Sequence, residues 1–296
     1  MDILDAQVHA NVIGTEATLA IMDALGIQSV LLDEYVGPAA NPSQLLPAHK
    51  LPNGVFRPIG PNAEAAALAH PDRFAFLMRI HPFDPGLGGW IETLAASPGL
   101  KALRTVVFGE AEVAAFKDGG FDPIFAAARR HGLPLFICCP GTVPHLAAYA
   151  RKFPDLNIAI DHCGAPFDAP RGEATMDDAI ALAAYPNVSL KWAHATSFLS
   201  TDPYPFADLH PKLKRTLDAF GRERVLWASD YTVTRHRANW GESLFYLLHS
   251  PVLSEDDRSW LLGRTARALL NWPAPETPPK RRAMHPHRVG GAAPPD

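Results

Sequence analysis

Only three cysteines occur in the 296 residues: Cys138, Cys139 and Cys163. They make no spaced zinc pattern, and two adjacent cysteines are poorly placed to pair with each other. A disulfide scaffold is therefore excluded, and a reduced, cytoplasmic protein is expected. The opening Met1-Asp2-Ile3-Leu4-Asp5 lacks the basic and apolar regions of a signal peptide. No apolar run approaches the ~18 residues of a membrane span. Excess positive charge is missing too: 27 basic against 31 acidic residues leave a net charge of −4. Nucleic-acid and membrane-surface partners are not expected from such a balance.

What the chain does have is apolar content, 47%, enough for a large core, with an ordinary 20% of charged residues. Apolar strand-like runs alternate with amphipathic stretches eight times. The runs are Ile3–His9, Gln28–Tyr35, Phe74–His81, Leu100–Val107, Leu133–Cys138, Leu156–His162, Asn187–Trp192 and Arg224–Asp230. Helical patterns between them include Thr15–Leu25, Asp122–His131, Val143–Phe153, Met176–Ala184, Pro211–Phe220 and Trp240–Leu248. Strands alternating with helices predict a parallel α/β sheet, and eight such units predict one closed (β/α)8 TIM barrel over residues 1–272. The competing doubly wound sheet normally carries a glycine-rich first turn, and no G-x-G-x-x-G follows Ile3–His9. Two segments break the repeat. Val36–Asn62 is a long loop after the second strand, placed over the mouth of a barrel, where long loops tend to be functional. Residues 273–296 are Pro-rich and basic, with almost no aliphatic side chains, and are expected to be a disordered tail.

Polar residues close three of the apolar runs, and barrel enzymes keep their chemistry at that C-terminal end of the strands. In Asp5-Ala6-Gln7-Val8-His9, strict alternation turns Asp5, Gln7 and His9 to one face, the barrel interior. An inward Gln–x–His pair is costly unless it is used, although a hydrogen-bonded core pair is the plainer alternative. His162 ends the sixth strand just before Cys163-Gly164-Ala165-Pro166. Asp161, of opposite parity, is expected to tie down the turn. Asp230 leaves Val225-Leu226-Trp227-Ala228-Ser229 as a carboxylate that burial would make more basic, a candidate general base. Arg104 and Lys191 are cations within apolar strands, rare unless paired. They read as anion-binding groups for an acidic substrate, with an internal salt bridge nearly as good an account. His81 and His194 are weaker candidates at the rim.

Taken in order, these fragments resemble the amidohydrolase superfamily, in the group that contains 2-pyrone-4,6-dicarboxylate lactonase and sugar lactonases. The resemblance covers roughly residues 3–272. It rests on the first-strand motif, His70-Pro71-Asp72-Arg73-Phe74, Asp161-His162-Cys163-Gly164-Ala165-Pro166, Asn187-Val188-Ser189-Leu190-Lys191, Leu226-Trp227-Ala228-Ser229-Asp230-Tyr231 and Leu262-Gly263-Arg264-Thr265-Ala266-Arg267. The departures bear on mechanism. Where metal-binding members have His-x-His, this chain has Gln7-Val8-His9. Where binuclear members have a bridging Lys or Glu on the fourth strand, it has Arg104, with Lys101 at the opposite end. The fifth strand ends in Cys138-Cys139-Pro140 instead of a histidine, and His145 lies several residues into the next helix.

The resemblance and the surviving residues together imply a hydrolase of a lactone or similar cyclic ester carrying a carboxylate. Asp230 would activate water, His9 and His162 would polarise the carbonyl, and Gln7, Arg104, Lys191 and His81 would bind substrate. A non-oxidative decarboxylase of an aromatic or muconate-type acid is the alternative, as is a barrel repurposed within a biosynthetic pathway. No cofactor is expected. If a metal is held, it would be one weakly bound zinc on His9, His162 and Asp230. The expected partner is a small acidic molecule, and a homo-oligomer remains compatible with the sequence.

Overall fold

The computed structural model describes residues 1–9, 13–34, 48–170, 172 and 176–276. Ten strands form in chain order: β1 (Leu4–His9), β2 (Ser29–Asp33), β3 (Ala48–Lys50), β4 (Phe56–Pro58), β5 (Phe74–Arg79), β6 (Leu100–Val106), β7 (Leu135–Cys138), β8 (Ile158–Ile160), β9 (Val188–Trp192) and β10 (Val225–Trp227). Eight of them make one parallel sheet in the order β1-β2-β5-β6-β7-β8-β9-β10. The predicted α/β barrel is the fold observed. Across the seam, the turn after β10 reaches β1: Ser229 N donates to Asp5 Oδ1 at 2.9 Å, and Asp230 N to Gln7 O at 3.1 Å.

Alternating side chains divide the core into two layers. Leu31, Ala75, Leu77, Ala102, Phe136 and Ala159 belong to a cluster inside the sheet. Their neighbours Leu32, Phe76, Leu103, Ile137 and Ile160 join the larger cluster beneath the helices. Alternating small residues with Leu and Phe fills a narrow interior without leaving voids. Leu270 and Trp272 join the inner cluster from just beyond the helix Thr265–Leu269.

The sixth and eighth barrel strands are shorter than expected. β8 stops at Ile160 and β10 at Trp227, so His162 and Asp230 occupy the turns that follow. Of the expected 36–62 insertion, the part from Ala48 holds an antiparallel hairpin, β3 with β4. Arg57 clamps it to the barrel by donating to both carboxylate oxygens of Asp84, at 2.5 and 2.6 Å. The remainder of that loop up to residue 47, and residues 277–296 of the expected tail, lie outside the described residues. Among the described residues no helix is long and apolar enough to cross a membrane.

Candidate active site

β1 carries the first departure from simple alternation. Leu4 pairs with Ser29 and Asp5 with Val30, but Val8 then pairs with Leu32 and His9 with Asp33, so one extra residue is bulged into β1. A bulge resets parity. Ala6 joins the interior cluster, and Gln7 and His9 still reach inward. Asp5, expected beside them, packs on the other side. There its Oδ1 accepts from Gln7 N and Ser229 N, and its Oδ2 from Trp240 Nε1 at 2.7 Å. Burial pushes its pKa up to about 6 despite these donors. Asp5 staples the barrel seam and stands apart from the interior polar cluster.

Inside the C-terminal end of the barrel, charged side chains form a closed ring. Asp33, at the end of β2, accepts from Arg104 Nη1 at 2.5 Å, Arg79 Nη2 at 2.8 Å and Gln7 Nε2 at 3.3 Å. Arg104 Nε donates to Asp161 Oδ2 at 2.6 Å, and Lys191 Nζ meets Asp161 Oδ1 at 2.5 Å. Lys191 also donates to Gln7 Oε1, which closes the circle. Burial alone would raise both carboxyl pKa values; Arg79 and Arg104 reverse this at Asp33, and Arg104 and Lys191 at Asp161. Asp161 thus serves the interior ring. Its strand has already ended, so the parity argument that assigned it to the turn no longer applies. Arg104 and Lys191 are fully buried and held by carboxylates of this chain, which is the internal-salt-bridge alternative rather than an open anion site.

Above the ring lies a second cluster. Asp230 sits between two imidazoles, with Oδ1 2.9 Å from His9 Nε2 and Oδ2 2.6 Å from His194 Nε2. Burial favours its neutral form, but His9 and His194 outweigh that and hold its pKa well below the carboxylate range. The expected rise in basicity is therefore reversed. His162 stands beside His194, their rings 4.2 Å apart. Its Nε2 lies 3.1 Å from Arg104 Nη2, while its buried Nδ1 meets no partner among the described residues. Burial, reinforced by His194, keeps His162 uncharged, far below the ordinary histidine value.

Backbone strain marks the same place. Six described non-glycine residues have positive φ, and four are His162 (51°), Cys163 (60°), His194 (57°) and Asp230 (44°). Each such conformation costs on the order of 1–3 kcal/mol and persists only where the surroundings enforce it. An aromatic wall flanks the cluster. Phe198 stacks on His194 at 5.2 Å and on Phe167 at 4.9 Å; Phe167 also contacts His162 at 5.8 Å and the exposed Phe108 at 5.6 Å.

His81 lies at the rim, a quarter exposed, with Nε2 3.4 Å from Glu112 Oε1 and Nδ1 accepting from Phe83 N. None of its described contacts reaches the ring or the histidine cluster. The sequence reading passed over Asp33 and Arg79 and ranked His194 low. The signal for the first two was present: each is a charge closing an apolar strand, the same pattern that singled out Asp230.

Two groups of side chains place metal-capable atoms within 4.8 Å of one another: His162 with His194 and Asp230, and Cys138 with Asp161 and His162. His194 thus takes the place expected for His9. The second group is unsuited, because both carboxylate oxygens of Asp161 are already engaged by Arg104 and Lys191. The first has an N, N, O donor set that zinc accepts. It does not fit as arranged, because Arg104 can only donate and so engages the lone pair of His162 Nε2, leaving the proton on Nδ1. A ligating imidazole needs a lone pair of its own for the metal.

A family model described as amidohydrolase matches residues 5–272. L-fucono-1,5-lactonase of Burkholderia ambifaria is 32% identical over 157 residues, which is 51% of this chain and 53% of that protein. The chain thus spans about half the length of that curated relative. An amidohydrolase from Burkholderia multivorans, solved with bound zinc, superposes with a TM-score of 0.68 at 19% identity, covering 92% of this chain and all of that one. A 2,6-dihydroxybenzoate decarboxylase bound to 2,6-dihydroxybenzoate gives 0.59 at 12% identity, covering 92% of this chain and 99% of that one. At these identities the two structures speak for the fold alone. The match over residues 5–272 decides the family, and the chain belongs to the amidohydrolase family.

Proposed function

We propose that this protein hydrolyses a lactone or similar cyclic ester. The observation that carries the reading is the buried Nδ1 of His162, without a partner among the described residues, beside the Asp230–His194 pair. A fixed donor aimed into a site where an oxyanion can form contributes several kcal/mol to acyl transfer. In this scheme the ester carbonyl oxygen accepts from His162 Nδ1. Water held by Asp230 and His194 adds to the carbonyl carbon and gives its proton to that pair. The ring C–O bond then breaks, and the same proton passes to the departing ring oxygen, giving the open hydroxy acid. His9, bound to Asp230 through Nε2, orients the carboxylate; it was expected to polarise the carbonyl. The low pKa of Asp230 makes it a weak base alone, so the acid–base unit is Asp230 together with His194.

The substrate class follows from the charges. Arg79, Arg104 and Lys191 are held by Asp33 and Asp161, and Asp230 by His9 and His194, so each of these side chains is already engaged within the chain. A substrate carboxylate at Arg104 or Lys191 would have to displace a buried ion pair. An uncharged ring lying against Phe167 and Phe198 is the better match, and the similarity to L-fucono-1,5-lactonase supports a sugar-like lactone. A second reading, an acidic lactone, is favoured by one observation: the Arg79 side chain keeps 16% of its surface exposed, more than its ring partners.

The test is a screen of chelator-treated protein against uncharged lactones, carboxylated lactones and aromatic acids. Hydrolysis of uncharged lactones without added metal is expected. Strict dependence on a substrate carboxylate would favour the acidic reading. Carbon dioxide release from an aromatic acid, with every lactone untouched, would overturn the proposal in favour of a decarboxylase.

A further inference from the structure

We infer that Arg104 is a positioning residue that fixes the tautomer of His162, and that this same contact keeps His162 from serving as a metal ligand. The inference rests on the lactonase reading only for what the resulting N–H group is for.

All three guanidinium nitrogens of Arg104 are committed. Nε donates to Asp161 at 2.6 Å and Nη1 to Asp33 at 2.5 Å, which sets the plane of the fork and leaves Nη2 3.1 Å from His162 Nε2. Two carboxylates, one at the end of β2 and one just after β8, therefore aim the third nitrogen. A guanidinium has five donors, no acceptor and no accessible deprotonated form, so it can meet Nε2 only as a donor. In an uncharged imidazole the remaining proton must then sit on Nδ1. The charged alternative would set two N–H groups against each other at 3.1 Å, in a pocket already holding Lys191 and His194 close by. Nδ1 is buried and unpartnered among the described residues, so the tautomer delivers a donor that none of them consumes.

The metal consequence follows from the same atoms. Ligation through Nε2 would require displacing the Arg104 donor. Ligation through Nδ1 would require moving the proton to Nε2, directly against Arg104. Either route costs the contact that links His162 to the ring. The residues nearest in space resemble a three-ligand site, yet one of the three is committed elsewhere.

The test uses the full-length protein labelled with 15N in its 13 histidines and read by long-range 15N–1H correlation. The His162 signals are assigned by their loss in His162→Gln. Expected is an Nδ1 nitrogen with a proton and an Nε2 nitrogen with a free lone pair at pH 7. A proton on Nε2, on both nitrogens, or averaged between them would overturn the inference. Zinc chloride added to the wild type should leave the His162 signals in place; zinc-dependent loss or shift of its Nδ1–H would also overturn it. In Arg104→Gln the side-chain amide can accept as well as donate, so Nε2–H should become populated and the His162 signals should respond to zinc. An unchanged tautomer in that variant would show that something else fixes it. Should the variant fail to fold, the wild-type spectrum still decides. A protein inactive on every lactone but with His162 protonated on Nδ1 would defeat the functional reading alone, and an active lactonase with the opposite tautomer would defeat this inference alone.

Discussion

His162 has a thermodynamic signature as well as a catalytic one. Buried and uncharged in the folded protein, it takes up a proton far below its ordinary value of 6.5. The unfolded chain protonates it near that value, so as pH falls below 6.5 the unfolded state binds a proton that the folded state refuses. Stability is then lost, with a slope of at most about 1.4 kcal/mol per pH unit for one group. Asp5 acts in the opposite sense: held near 6 against an ordinary 3.8, it removes stability as pH rises through that interval. Asp5 is common to wild type and His162→Asn, so its effect cancels in their difference. Urea unfolding at pH 7 and pH 5 should therefore show the wild type losing stability relative to His162→Asn on acidification. A pH-independent difference would mean that His162 titrates normally.

At the scale of elements, the strands whose C-terminal ends carry polar residues supply the site, and the loops beyond them supply its walls. Charges closing apolar strands were visible in the sequence, which is why His9, His162, Lys191 and Asp230 could be named from it. Two things were not visible there. The β1 bulge moves Asp5 out of the interior and leaves Gln7 in, and a one-residue slip of that kind depends on pairing with β2 rather than on local composition. The pairing of Arg104 and Lys191 depends on Asp33 at the end of β2 and Asp161 just after β8, so it needed the closed barrel to become legible. The aromatic wall is also a product of convergence: Phe108, Phe167 and Phe198 follow β6, β8 and β9 and are far apart in sequence. Phe167 is 38% exposed, so Phe167→Ala should fold normally. Ring contacts of this kind are worth about 0.5–1.5 kcal/mol, which corresponds to a rise of roughly two- to tenfold in KM for lactones with an apolar face. Steady-state kinetics should show kcat little changed; an unaltered KM would place the substrate elsewhere in the mouth.

For the whole molecule, the barrel sets a ring of paired charges beneath a histidine–aspartate cluster and lets aromatic rings guard the entrance. The ring supports the cluster through Arg104 to His162 and Asp33 to His9, and the barrel seam supports it through Asp230 N to Gln7 O. Length, composition and strand repeat were sufficient for the fold class because eight βα units leave few ways to bury their apolar faces. They could not settle how the interior charges pair. The central claim is that Asp230, with His194, takes the proton of the attacking water in a site that needs no metal. The direct measurement is kcat against pH for chelator-treated wild type and Asp230→Asn on a lactone that the wild type turns over. Asn has nearly the same shape but cannot accept that proton, and general-base assistance is worth about 10²–10⁴ in rate. The account predicts a loss of that size in a folded variant. Near-normal turnover in Asp230→Asn, or a wild type that is inert until metal is restored, would contradict it.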